Sequence, residues 1–108
     1  VEINQYQVVL VNLDPTMGSE MKKTRPCLVI SPNEMNQFLQ TIVIAPMTKT
    51  SKAYPTRVPV LKNRVKSWVV LDQIRTIDRR RIVRSYHTLT RTEISLVKKV
   101  LRESYVDD

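Results

Sequence analysis

Apolar residues in this chain come in short runs separated by polar stretches. Gln7–Leu13, Cys27–Ser31 and Thr41–Met47 are dense in Val, Ile and Leu and bounded by polar residues or proline, the pattern of buried strands. Thr56–Leu61 alternates apolar and polar positions, as a strand with one wet face does. Trp68–Leu71 and Ile82–Leu89 read as two further strands, Lys49–Pro55 as a polar loop, and Asp72–Asp78 as a polar turn. Ser31-Pro32-Asn33-Glu34 is a helix start, with serine as N-cap, proline at the first helical position and glutamate three residues after the cap. It predicts a short helix from Asn33 to about Leu39. Thr90-Arg-Thr-Glu93 is a capping box, and Ile94, Val97 and Leu101 follow on one face of a C-terminal helix. That face either covers one end of a barrel, the favoured reading, or meets a partner. Many short strands with helices that do not alternate with them predict a mainly β fold with short helices, built on a small, strongly curved antiparallel sheet.

Length adds the number of units: 108 residues, 42% of them apolar, fit one domain over 1–108 with one core. No apolar run approaches the roughly 20 residues of a membrane span, and Val1-Glu-Ile-Asn4 lacks the pattern of a leader. The single cysteine, Cys27, fits a core position in a reducing compartment. The expectation is a cytoplasmic protein with no membrane contact.

Charge changes the picture more. Residues 1–21 carry a net −3, residues 22–102 hold all 18 Lys and Arg for a net +14, and the last six residues carry −3. A pI near 10.0 in so small a domain points to a polyanion or an acidic protein as partner, non-specific DNA binding included.

The chemistry is concentrated in Asp14-Pro-Thr-Met-Gly-Ser-Glu-Met-Lys-Lys-Thr-Arg-Pro26, between two strands, where a scaffold usually carries its function. One glycine rules out a phosphate-binding glycine loop, one histidine rules out a pair of histidines, and no His/Cys/Asp/Glu spacing suggests a metal, so no cofactor is expected. What remains is cationic and hydroxylic: Ser19, Lys22, Thr24, Arg25, Thr48, Thr50, Ser51 and Lys52. Such groups can hold a phosphodiester and stabilise charge developing on its oxygens. If the polymer is RNA, its own 2′-hydroxyl can be the nucleophile.

The chain resembles the MazF/PemK toxins of bacterial toxin–antitoxin pairs. The resemblance runs through Val9-Leu-Val-Asn-Leu-Asp-Pro-Thr16, Gly18-Ser-Glu20, Thr24-Arg-Pro26, Val29-Ile-Ser-Pro32, Ala45-Pro-Met-Thr48, Ser51-Lys-Ala-Tyr-Pro55 and Val70-Leu-Asp-Gln-Ile-Arg-Thr-Ile-Asp78, in order and over most of the chain. It implies an SH3-like antiparallel barrel with a C-terminal helix, a homodimer, and an acidic antitoxin that blocks the RNA groove. It also implies a metal-independent, sequence-specific endoribonuclease for single-stranded RNA that leaves a 2′,3′-cyclic phosphate and a 5′-hydroxyl. By the same resemblance Arg25 and Thr48 carry catalysis. Glu20 either takes the 2′-hydroxyl proton or orders its loop through Lys22 or Lys23. PemK-type members carry a histidine and an arginine where this chain has Ser19 and Val70, so a histidine–arginine–aspartate mechanism does not transfer. Lys22, Lys23, Lys49 and Lys52 are expected to line an RNA path, with Ser19, Thr24 and Ser51 beside them. Asp72, Gln73 and Arg75 read bases, bind phosphate or serve turn pairing. Trp68 is expected in the core. Two rival functions are a gyrase poison of the CcdB type, which shares the fold, and a basic binding module without catalysis.

Overall fold

The computed structural model describes residues 2–13 and 23–107. Its strands are β1 (Gln7–Asn12), β2 (Thr24–Val29), β3 (Thr41–Thr48), β4 (Arg57–Lys62), β5 (Val65–Val70), β6 (Arg75–Asp78) and β7 (Ile82–Thr88). Its helices are α1 (Asn33–Phe38) and α2 (Arg91–Tyr105), with single 3-10 turns at Leu71–Gln73 and Arg79–Arg81. All strand pairs are antiparallel, in the order β4-β5-β3-β2-β1-β7. β6 lies off this path, because β3 divides one edge between two partners: Thr41–Ile44 pair with β6, and Met47 and Thr48 pair with β5. The sheet therefore forks at β3 and curls into a half-barrel. The mainly β, strongly curved antiparallel sheet with a C-terminal helix that the sequence predicts is the architecture present.

The apolar runs are continuous because the central strands bury both faces. Val8, Leu28, Ala45, Met47 and Val69 belong to one cluster; Val9, Val11, Cys27, Ile42 and Ile44 belong to another. The expected single core is thus two clusters, one on each side of the sheet. α2 closes the first: Val97 is fully buried, with Ile94 and Leu101 packed beside it, as the spacing predicts. Its capping box forms, and Glu93 also accepts the Leu61 N–H (2.9 Å), tying the helix start to β4. α2 runs for 15 residues.

Three local expectations are corrected. Pro32, not Ser31, stands at the N-cap of α1, with no side-chain cap. Ser31 is turned inward, where its Oγ accepts the Val43 N–H (3.1 Å) and donates to Asn36 Oδ1 (2.6 Å). β5 begins at Val65, because Asn63 and Arg64 form a two-residue hairpin turn with φ of 50° and 66° and no glycine. The polar turn expected at Asp72–Asp78 is a 3-10 turn followed by β6, whose Ile77 is buried against Ile42.

Candidate active site

β2 and β3 set the site by their register. Cys27 faces Pro46, Leu28 faces Ala45 and Val29 faces Ile44. Continued by two residues, that register puts Arg25 opposite Thr48, on one face of the sheet. Both residues line a cleft of about 450 Å³, with Thr24 and Lys49 beside them. Arg25 is exposed, and among the described residues its guanidinium has no hydrogen bond or ion pair. Thr48 is half-buried; its Oγ1 donates to the Thr50 carbonyl (3.1 Å) and accepts the Thr50 N–H (3.4 Å). That turn fixes the hydroxyl where β3 ends.

Cys27 lies beneath, fully buried, its Sγ donating to the Arg25 carbonyl oxygen (3.5 Å). Burial pushes its thiol up to about 12, against the pull of the Arg25 and Arg75 charges. Arg75 reaches this side because it pairs with Ile44 across the β3–β6 ladder.

Other expected site residues form a second group. Asp72 Oδ1 accepts from Thr56 Oγ1 (2.9 Å) and from Arg57 Nε (3.3 Å). Arg57 Nη1 donates to Ser51 Oγ (2.8 Å), and its guanidinium lies 4.9 Å from the centre of the Tyr54 ring. Arg57 thus ties the 49–56 loop to the Leu71–Gln73 turn. Partial burial raises the Asp72 carboxyl, but hydrogen bonds from Arg57 and Thr56 outweigh it and hold the group below its ordinary value. The turn pairing open to Asp72 is corrected: its ion-pair partner is Arg57 of β4 (3.3 Å), while Asp78 pairs with Arg80 (2.9 Å). Lys52 and Gln73 are exposed, and Lys23 lines a recess with Thr24, Arg25 and Leu13. Glu20, Ser19 and Lys22 lie outside the described residues. Trp68 is half-buried opposite Thr48, with Lys66 Nζ 4.7 Å from its ring centre. Among the described residues no group of His, Cys, Asp and Glu could hold a metal ion, and no helix is long and apolar enough to cross a membrane.

The sequence reading missed Arg57, and it missed the far wall of the cleft, made by Lys62, Asn63, Val65 and Ser67 of the β4–β5 hairpin. Asn63 was the one available signal, since asparagine tolerates positive φ.

A family model described as PemK-like, MazF-like toxin of type II toxin–antitoxin system matches residues 4–105. Endoribonuclease MazF of Staphylococcus epidermidis is 31% identical over 105 residues, covering 92% of this chain and 88% of that protein. A solved endoribonuclease in complex with its cognate antitoxin, from a mycobacterial species, superposes with a TM-score of 0.81 at 19% identity, covering 94% of this chain and 93% of that one. MazE–MazF from Deinococcus radiodurans superposes with a TM-score of 0.78 at 26% identity, covering 95% of each chain.

Proposed function

The chain belongs to the PemK-like, MazF-like toxins of type II toxin–antitoxin systems, and from that membership we propose that it is a sequence-specific endoribonuclease for single-stranded RNA, mRNA included. The observation that carries this reading is the cleft shared by Arg25 and Thr48, residues from separate strands, the first with a guanidinium that makes no hydrogen bond or ion pair among the described residues. A planar fork of donors next to a hydroxyl suits a phosphodiester and not a neutral ligand.

The chemistry is transesterification. The 2′-oxygen of the nucleotide before the cut attacks the adjacent phosphorus, and the bond from phosphorus to the 5′-oxygen of the next nucleotide breaks. The products are a 2′,3′-cyclic phosphate and a 5′-hydroxyl. The 2′-proton passes to Glu20 or to solvent, and the leaving 5′-oxygen takes up a proton. Arg25 grips the non-bridging oxygens and stabilises the charge that builds on them, and Thr48 donates to one of them. Neither act draws on a metal. Binding that holds the 2′-oxygen in line with the leaving oxygen supplies the rest.

Lys22, Lys23 and Lys49 attract the RNA backbone, and the hydroxyls of Ser19 and Thr24 contribute to RNA binding. Lys52, Gln73 and Arg75 extend the path, while Asp72 and Ser51 shape its wall through Arg57. An acidic antitoxin covers the same basic surface and excludes RNA by overlap. The toxin is one domain over 1–108, works as a homodimer, and acts in the bacterial cytoplasm, where its substrate is.

Purified protein incubated with mixed-sequence RNA in EDTA tests the reading. The wild type should yield discrete fragments and Arg25→Ala should yield none while keeping its fold. RNA left intact at high enzyme concentration would falsify the proposal and return the gyrase-poison and binding-module readings.

A further inference from the structure

The cleft has a second wall that the chemistry above does not use. It comes from the β4–β5 hairpin and ends in Ser67, which is only 5% exposed. By pairing and alternation Ser67 shares a sheet face with Val60 and Val69, both in the apolar cluster that also holds Met47. A serine at the edge of such a cluster is costly unless its hydroxyl finds a partner. Among the described residues that hydroxyl makes no hydrogen bond. It is also not sealed off, since among the described residues no buried side-chain oxygen or nitrogen lacks a partner. The Ser67 hydroxyl therefore keeps some open surface, and the cleft that the residue lines is where that surface leads.

Pro26, Met47 and Val65 give an apolar floor. Asn63 sits at the rim on the hairpin turn, its side chain exposed and unpartnered among the described residues. Lys62 stands beside it with its ammonium 4.9 Å from the Tyr86 ring centre. An apolar floor with two neutral polar groups, each able to donate and accept, suits a flat ring with polar edges. The cation on this wall, Lys62, is held against the Tyr86 ring, so Ser67 and Asn63 are the neutral polar groups left to meet a ligand there. The volume of about 450 Å³ lies in the range of small-ligand sites.

We infer that Ser67 and Asn63 form a nucleobase subsite, which takes one unstacked base next to the scissile phosphate and selects it by hydrogen bonds to its edge. The inference rests on the ribonuclease reading and names where part of its sequence preference resides. The base lies flat on Pro26, Met47 and Val65, and stacking on such a floor does not discriminate among bases. Discrimination comes from Ser67 Oγ and the Asn63 carboxamide, because a wrong base leaves these groups unpaired in a desolvated site.

Cleavage of a randomised RNA pool, with the fragment ends mapped, tests this for the wild type, Ser67→Ala and Asn63→Gly. The alanine removes one oxygen, and glycine accepts the φ of 50° at position 63. Both variants should fold, and circular dichroism checks that they do. The expected result is that the wild-type preference at one nucleotide next to the cut falls about tenfold or more in Ser67→Ala, with a smaller loss at the same nucleotide in Asn63→Gly. Wild-type cleavage with the same preference at every position in both variants overturns the subsite and leaves the ribonuclease reading intact. A wild type that does not cut RNA removes both. If antitoxin affinity falls in the two variants while the cut-site preference stays, the cleft receives a protein side chain and the proposal is wrong.

Discussion

Arg57→Ala offers the most direct test of how the site is built, because the side chain joins three partners from two loops. Its ion pair with Asp72 spans 3.3 Å with side chains 19% and 35% exposed. A pair that wet contributes about 0.5 kcal/mol. The hydrogen bond to Ser51 Oγ at 2.8 Å adds about 1 kcal/mol. The guanidinium against Tyr54 at 4.9 Å adds about 0.5 kcal/mol. The three share one side chain, so their sum, about 2 kcal/mol, is a ceiling and not an expectation of strict additivity. For a domain of this size the loss lowers Tm by about 8 °C. Thermal and urea unfolding followed by circular dichroism measure it. Arg57→Lys keeps the charge but cannot reach Asp72 and Ser51 at once, so it should recover less than half of the loss. A double-mutant cycle with Asp72→Asn should return a coupling of about 0.5 kcal/mol. An Arg57→Ala protein that melts within about 2 °C of the wild type, where the clamp calls for about four times that, refutes the argument. So does an Arg57→Lys variant indistinguishable from wild type.

Thr48→Val removes the hydroxyl at nearly constant volume and should lower kcat/KM for RNA cleavage by about ten- to a hundredfold, the worth of one hydrogen bond to a charged group; an unchanged rate removes Thr48 from the mechanism. Acid should destabilise the fold. Asp72, Asp78 and Glu93 all sit below their ordinary values: the first by hydrogen bonds from Arg57 and Thr56, the second by those of Arg80, the third by the Thr90 and Leu61 N–H groups, in spite of partial burial. A depressed folded value means that the unfolded chain binds more protons, so this stability is complete above the unfolded carboxylate range near pH ~4 and is lost as pH falls through the folded values. The urea midpoint should stay level from neutral pH to about 5 and then decline; a midpoint that rises on acidification contradicts the sign. Cys27, fully buried and pushed up to about 12, should resist iodoacetamide at pH ~8 in the folded protein and react once urea unfolds it, while stoichiometric labelling of the native state would show that the strand opens.

The elements legible in the sequence were those whose signal is local. Val, Ile and Leu runs mark β1, β2 and β3 because both faces of these strands are buried. The capping box of α2 is contained in four residues, Thr90 to Glu93, and forms as written. Local signals also misled. Ser31 has the spelling of an N-cap, yet its hydroxyl holds α1 to β3 through Asn36 and the Val43 N–H. β6 is spelled like a turn, since in Arg75–Asp78 only Ile77 is buried and the strand is half wet. The β4–β5 turn escaped notice because Arg64 takes a positive φ without the usual glycine. In the cleft, Arg25 and Thr48 were legible as members of a larger cationic and hydroxylic set, and the family resemblance singled them out. Arg57 and Ser67 carried no signal, because what singles them out is a set of neighbours drawn from distant segments.

The fork in β3 explains why a cleft lies next to Thr48 at all. An unbranched antiparallel sheet would run one partner strand along this whole edge of β3 and cover it. Here β6 stops at Ile44 and β5 starts at Met47, so the edge changes partners across Ala45 and Pro46. Proline has no N–H to give to a ladder, and a strand break is where it does least harm. Past the break, β5 and its hairpin partner β4 bring Ser67 and Asn63 to the cleft, while β2 on the other edge brings Arg25. The side-chain period of a strand is two, so a slip of one residue in the β2–β3 register would turn Arg25 and Thr48 to opposite faces. The apolar pairs Leu28–Ala45 and Val29–Ile44 hold that register, since each pair packs into its own cluster and a slip would carry side chains into the other. The geometry proposed for catalysis thus depends on packing several residues away, and a large-to-small change at Leu28 or Ile44 should weaken cleavage together with stability.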